Sequence, residues 1–339
     1  MNKKFIMNKK LMTSMVILGI TSIGLSSTTA LADEKAKGEG WDIPSVALGN
    51  GLTEQQKLDT LKELKVKDSE KYNEFIVDGN DLVKYVTDVP EFTPESKAYS
   101  SAYIVRTKEG SGVNVTIETP DNITSRTESS YRNAAITSGV YDADIRIASV
   151  KTMDGSGALA GIYKIYDEVE PAKSEEEQAD RDAKREVAQE EMAVTSEITN
   201  ENADNKNYSD ENLAVAMADI KLELQKINEK LDKMNEENAK EKIADVVTKE
   251  LKTQGLEDIV TPEQQEKIVN LMYKFQNSPS IDDKEMTEQL NSLKNDIMEN
   301  GKEFLSNAKD KLTSEETKNG LAKIWIAVTD FFINLFSKN

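Results

Sequence analysis

Apolar and polar positions along the chain change period twice, and the elements follow from those changes. Between Tyr99 and Thr119 two runs rich in β-branched and aromatic residues flank Gly110-Ser-Gly112. In the second run Val113, Val115 and Ile117 alternate with Asn114, Thr116 and Glu118, the period-two pattern of a strand with one apolar face. Two such runs around a Gly-Ser-Gly turn predict a β-hairpin. An isolated hairpin is marginal in water, so helices on either side must cover its apolar face.

Before this stretch, Val46-Ala-Leu-Gly49 reads as a short strand. Thr53 and Gln56 have the spacing of a capping box, which opens a helix to about residue 64 with Leu58, Leu61 and Leu64 on one face. Residues 75–77 predict a second strand and 81–86 a short helix. After the stretch come a helix at 128–138 stopped by Gly139, a strand at 143–150 with Ile145 and Ile147 on one face, and a helix at 158–166 opened by Gly155-Ser-Gly157. Strands alternating with helices over residues 46–166 define an α/β domain with a mixed sheet, whose strand order the pattern leaves open.

Beyond residue 166 the strand period disappears. Residues 167–210 form an acidic segment in which 175–198 predict a helix. Glu177/Arg181 and Asp180/Lys184 stand four apart on it, as on an exposed helix, and a loop follows. From Leu213 the spacing is 4-3-4-3-4-3 through Met217, Ile220, Leu224, Ile227, Leu231 and Met234, a seam that packs along a partner helix as in a coiled coil. Further helices are predicted at 239–254, from Thr261-Pro262, from Met286 to Leu312, and at 321–336, with a capping box at Thr313 and Glu316. Residues 211–339 are therefore an all-α helical bundle or array.

The N-terminus adds a compartment. Lys3, Lys4, Lys9 and Lys10 precede an apolar run from Leu11 to about Leu25, followed by Ala30-Leu31-Ala32. That layout predicts a secretory signal peptide, residues 1–32, cleaved after Ala32, with a flexible leader at 33–45. The expected product is secreted.

Charge and missing residue types narrow the chemistry. The chain has 43 Lys and Arg against 62 Asp and Glu, a net charge of −19, and the signal peptide removes only basic residues. Such a surface repels nucleic acid and anionic lipid. With no cysteine and no histidine, disulfides, Ser-His-Asp catalysis and Cys-His catalysis are all excluded, and a zinc site loses its usual ligands. Carboxylate chemistry, a Ser–Lys pair, or no catalysis remain.

Candidate sites are few. Gly155, Ser156 and Gly157 bring backbone amides to a helix N-terminus that could hold an anion, or simply form a tight turn. Asp78-Gly79-Asn80-Asp81 and Asp142-Ala143-Asp144 offer oxygens, but neither matches a calcium loop, and turn or cap duty is the better reading. No catalytic, metal or cofactor-binding residue is nominated. The stretch 321–336, with Trp325, Phe331, Phe332 and Phe336, leaves only Lys323, Asp330 and Asn334 as a polar stripe. Sixteen residues of helix reach ~24 Å, short of a bilayer core of ~30 Å, so this stretch does not span. It docks into the bundle, or it is an interaction helix for a partner or for peripheral membrane contact.

The motifs Val46-Ala-Leu-Gly-Asn-Gly-Leu-Thr-Glu-Gln-Gln56, Gly110-Ser-Gly112, Asn122-Ile-Thr124, Tyr131-Arg-Asn-Ala134, Gly139-Val140 and Gly155-Ser-Gly-Ala-Leu-Ala-Gly-Ile162 together resemble the domain of unknown function 1002 family of secreted Gram-positive proteins. The resemblance implies an exported protein with an α/β-then-helical layout. It implies no activity, catalytic residue or cofactor. The expected function is non-enzymatic binding of an envelope or extracellular partner, with a carboxylate-dependent hydrolase of cell-wall material as the alternative.

Overall fold

Five strands form one mixed sheet: β1 (Ser45–Gly49), β2 (Asn73–Val77), β3 (Ser101–Arg106), β4 (Asn114–Ile117) and β5 (Ala143–Ala148), in the order β2-β1-β3-β5-β4. The structure is a computed structural model that describes residue 41 and residues 43–311, with side chains as far as residue 299. Nine α-helices stand among the described residues: α1 (Glu54–Glu63), α2 (Gly79–Tyr85), α3 (Glu128–Ser138), α4 (Ser156–Val169), α5 (Glu175–Glu201), α6 (Asp210–Leu231), α7 (Glu236–Thr253), α8 (Pro262–Gln276) and α9 (Lys284–Lys311). The expected mixed sheet followed by a run of helices is the architecture observed.

The hairpin is not. β3 and β4 are both strands, but they do not pair with each other. β5 lies between them, antiparallel to β3 and parallel to β4. Alternation identifies a strand, but it carries no information about the neighbour. The connection from Thr107 to Val113 is long enough to arch over the N-terminal end of β5. In that register Ala102, Ile104, Ile145, Ile147, Val115 and Ile117 share one face, so inserting β5 extends the apolar surface unbroken.

Asp142, just before β5, holds the arch in place. Its Oδ1 accepts from the Gly112 amide and from Gln289 Nε2, each at 2.8 Å, and its Oδ2 accepts from the Gly110 amide at 3.1 Å. Its carbonyl accepts from the Thr107 amide at 2.7 Å, and its own amide donates to Gln289 Oε1 at 3.3 Å. The residue sits at φ 46°, a left-handed conformation that Asp tolerates better than most side chains. Gly110 and Gly112, at φ 78° and 79°, supply the turn that aims both amides inward.

The second correction concerns α5. Its pattern suggests an exposed helix, yet Val187, Ala188, Glu191, Met192 and Ile198 are buried, and it packs on α3 and α8. The Glu177–Arg181 pair forms at 2.7 Å. Lys184, however, reaches Asp283 at 2.5 Å rather than Asp180. Arg181 and Arg185 lay their guanidinium groups over the rings of Tyr166 and Tyr85, and their long stems cover the joint. On α1 the expected face is only partly used. Leu64 is fully buried, while Leu58 is 54% exposed, because α1 meets the sheet through its C-terminal end.

Local signals hold elsewhere. Capping boxes form at Thr53 with Gln56 and at Thr261 with Gln264, and Gly139 ends α3 at φ 94°. The seam residues Leu213, Met217, Ile220, Leu224 and Leu231 are buried. One apolar cluster runs without a break from Ala47 in the sheet to Leu293 in α9. Both outer strands are blunted: Glu128 accepts the Ile117 amide at 2.7 Å, and Lys164 donates to the Ile76 carbonyl at 2.8 Å.

Replacing Asp142 with Ala should orphan two loop amides and Gln289 at ~1–3 kcal/mol per buried group. Urea unfolding should show a midpoint drop worth about 3 kcal/mol, with Asp142→Asn losing less. A second expectation concerns acid. Burial alone would raise the Asp142 carboxyl, but the bonds from Gln289, Gly112 and Gly110 outweigh it and hold it below the ordinary 3.8. Its stabilising contribution is therefore present above pH 3.8 and lost as pH falls through the lower folded value. Stability measured against pH should fall below that point, and Asp142→Asn should flatten the fall.

Candidate functional site

The structure places the candidate Gly155–Gly157 turn and the two aspartate pairs at joints between elements. At the start of α4, Gly155 takes φ 95° as N-cap, and Ser156 and Gly157 form the first turn. Asp154 Oδ1 accepts the Ser156 amide at 3.0 Å, and Ser100 Oγ accepts the Ala158 amide at 2.9 Å. The carboxylate facing this helix N-terminus thus comes from the chain itself. A Cβ on Gly157 would lie 2.7 Å from the Ser100 carbonyl oxygen, so the glycine permits the helix to approach β3. Arg126, itself buried, braces the turn, donating to Asp88 at 2.7 Å and to the Asp154 carbonyl at 3.0 Å.

Both aspartate pairs serve local hydrogen bonding. Asp78 caps α2, accepting the amides of Asn80 and Asp81 at 2.9 and 3.1 Å. Asp142 clasps the arch, and Asp144 accepts from Asn114 on the neighbouring strand at 2.9 Å. Among the described residues no group of three or more acidic side chains could hold a metal ion.

Sequence reasoning missed the most deeply buried ion pair among the described residues. Lys221 of α6 donates to Glu191 Oε1 of α5 at 2.5 Å and to Thr137 Oγ1 of α3 at 2.8 Å. Thr137 in turn donates to Glu191 Oε2 at 2.5 Å. All three side chains are sealed from solvent. Desolvation pulls the Lys221 ammonium below its ordinary pKa, and the Glu191 carboxylate pushes it partly back. A hydroxyl beside a lysine is the arrangement of a Ser–Lys type nucleophile, but a nucleophile must meet its substrate. Here the three helices bury the trio, so its work is to join them. Lys221 flanks the α6 seam, where a lysine ordinarily reaches out to water, so the sequence carries no local sign of its burial.

An open groove of about 700 Å³ lies where the C-terminal end of α5 meets the start of α8, lined by Glu197, Glu201, Thr261, Glu263, Gln264 and Lys267. The two carboxylates from α5 are engaged: Lys267 bridges both oxygens of Glu197 at 2.7 and 2.8 Å, and Gln264 donates to Glu201 at 2.7 Å, while Glu263 of α8 is exposed and lies 3.9 Å from Lys267. The predicted interaction helix with Trp325, Phe331, Phe332 and Phe336, the capping box at Thr313, and the signal peptide lie outside the described residues. Among the described residues no helix is long and apolar enough to cross a membrane.

Residues 48–293 match the family described as protein of unknown function (DUF1002), and the chain belongs to it. It is also 29% identical over 304 residues to an uncharacterized protein, YpuA, of Bacillus subtilis (strain 168), covering 86% of this chain and 87% of that protein. No solved structure matches.

Removing one partner of a buried ion pair leaves an uncompensated charge, at ~3–5 kcal/mol, whereas replacing all of it with apolar groups is close to neutral. Lys221→Met should therefore lower the unfolding free energy by about that amount. The combination Lys221→Met, Glu191→Leu, Thr137→Val should recover most of it, as read by urea titration.

Proposed function

We propose that this protein is exported and acts by binding an envelope or extracellular partner rather than by catalysis, with residues 321–336 as the contact surface. The reading rests chiefly on the sequence of that stretch, which is mostly aromatic and aliphatic, with Trp325, Phe331, Phe332 and Phe336 among its residues. Two features support it. The apolar cluster of the described residues already reaches from the sheet to Met286, Leu290 and Leu293 of α9. The family match likewise ends at residue 293, ahead of the stretch. The N-terminal lysines, apolar run and Ala30-Leu31-Ala32 support export.

The test compares the full chain with a chain ending at residue 320. Both should melt at the same temperature, and only the full chain should sediment with lipid vesicles or with isolated envelopes. A truncated chain that no longer folds would make the stretch part of the core and overturn the proposal. Soluble product released from purified cell wall would favour the hydrolase. Mass spectrometry of the culture medium should find a chain that starts at Asp33.

A further inference from the structure

A small polar niche lies where α3, the C-terminal half of α5 and the start of α6 converge. Asn133 of α3, Thr195 and Thr199 of α5, and Asp210 and Leu213 of α6 are among its walls. Asn133 is 1% exposed, and its buried Oδ1 has no hydrogen-bond partner within the protein. A buried amide oxygen left in that state is destabilising, and such groups in folded proteins are nearly always satisfied by protein or by ordered water. The niche offers about 10 Å³ to the centre of a water molecule, the room that one water needs.

The surrounding groups bear on which occupant fits. Thr195 Oγ1 donates back to the Glu191 carbonyl at 2.8 Å, which leaves its oxygen free to accept. Thr199 Oγ1 donates to Asp210 Oδ1 at 2.8 Å and shares a 2.8 Å bond with Tyr208. Asn133 Oδ1, Thr195 Oγ1 and the Asp210 carboxylate all offer lone pairs, so the missing partner must donate. A water molecule supplies two donors and accepts in return, and it fits the volume. An organic ligand does not.

We propose that this niche is a binding site for one ordered water molecule, which donates to Asn133 Oδ1 and bridges α3 to α5 and α6. The water then joins the same three helices as Lys221, Glu191 and Thr137, at a separate point. This does not depend on the proposed function.

A crystal structure of the full chain at a resolution that places waters tests it directly. The expected result is one peak of water density within hydrogen-bond distance of Asn133 Oδ1. An empty niche, an Asn133 Oδ1 bonded to a protein donor, or a peak that refines as a cation would overturn it. Thermal melting of Asn133→Val provides a second arm. If water bridges the site, removing the amide breaks a polar joint, and Tm should fall by ~2–4 °C. If the niche is dry, removing an unsatisfied polar group should leave Tm unchanged or raise it, and that outcome would also overturn the proposal.

Discussion

The sheet depends on one carboxylate. A chain that runs from β3 to β4 but admits β5 between them must cross over the end of β5, and such a crossing is stable only if the arch is tied down. Asp142 ties it to the residue that starts β5, through two loop amides on one side and Gln289 of α9 on the other. A single buried side chain thus ties down the arch and joins it to the last described helix. Tyr141, its neighbour, repeats the connection by donating to Asp283 at 2.7 Å, ahead of the first turn of α9.

The helices follow the same rule. In a chain this acidic, burying helices against one another brings carboxylates and cations inside, and each must find a partner. Arg181 and Arg185 find carboxylates and aromatic faces, Lys221 finds Glu191 and Thr137, and Lys184 finds Asp283. None of these charges contributes much to stability by itself, since desolvation offsets most of the attraction. A packing that separated these partners would strand a charge. A chain with no cysteine has no covalent crosslink to do this job.

The same arrangement bears on function. An enzyme working through carboxylates needs at least one that is free to exchange a proton with substrate in a cleft. In the groove between α5 and α8, Lys267 and Gln264 occupy the two carboxylates of α5, and the hydroxyl–lysine pair of α3 and α6 is enclosed. These contacts join helices to one another.

Local interactions determined what could be read in advance. Alternation marked Val115 and Ile117 as a strand face, hydroxyl and amide spacing marked Thr53 as a helix start, Thr261-Pro262 marked another, and Gly139 marked a stop; each depends on residues within four positions. The order of the strands, the outward turn of Leu58, the burial of α5 and the Lys221 trio were settled only in three dimensions. Asp142 and Gln289 are 147 positions apart, and Lys221 and Thr137 are 84 apart. A side chain carries no local mark of a partner that distant, because its energy depends on what the rest of the chain packs against it.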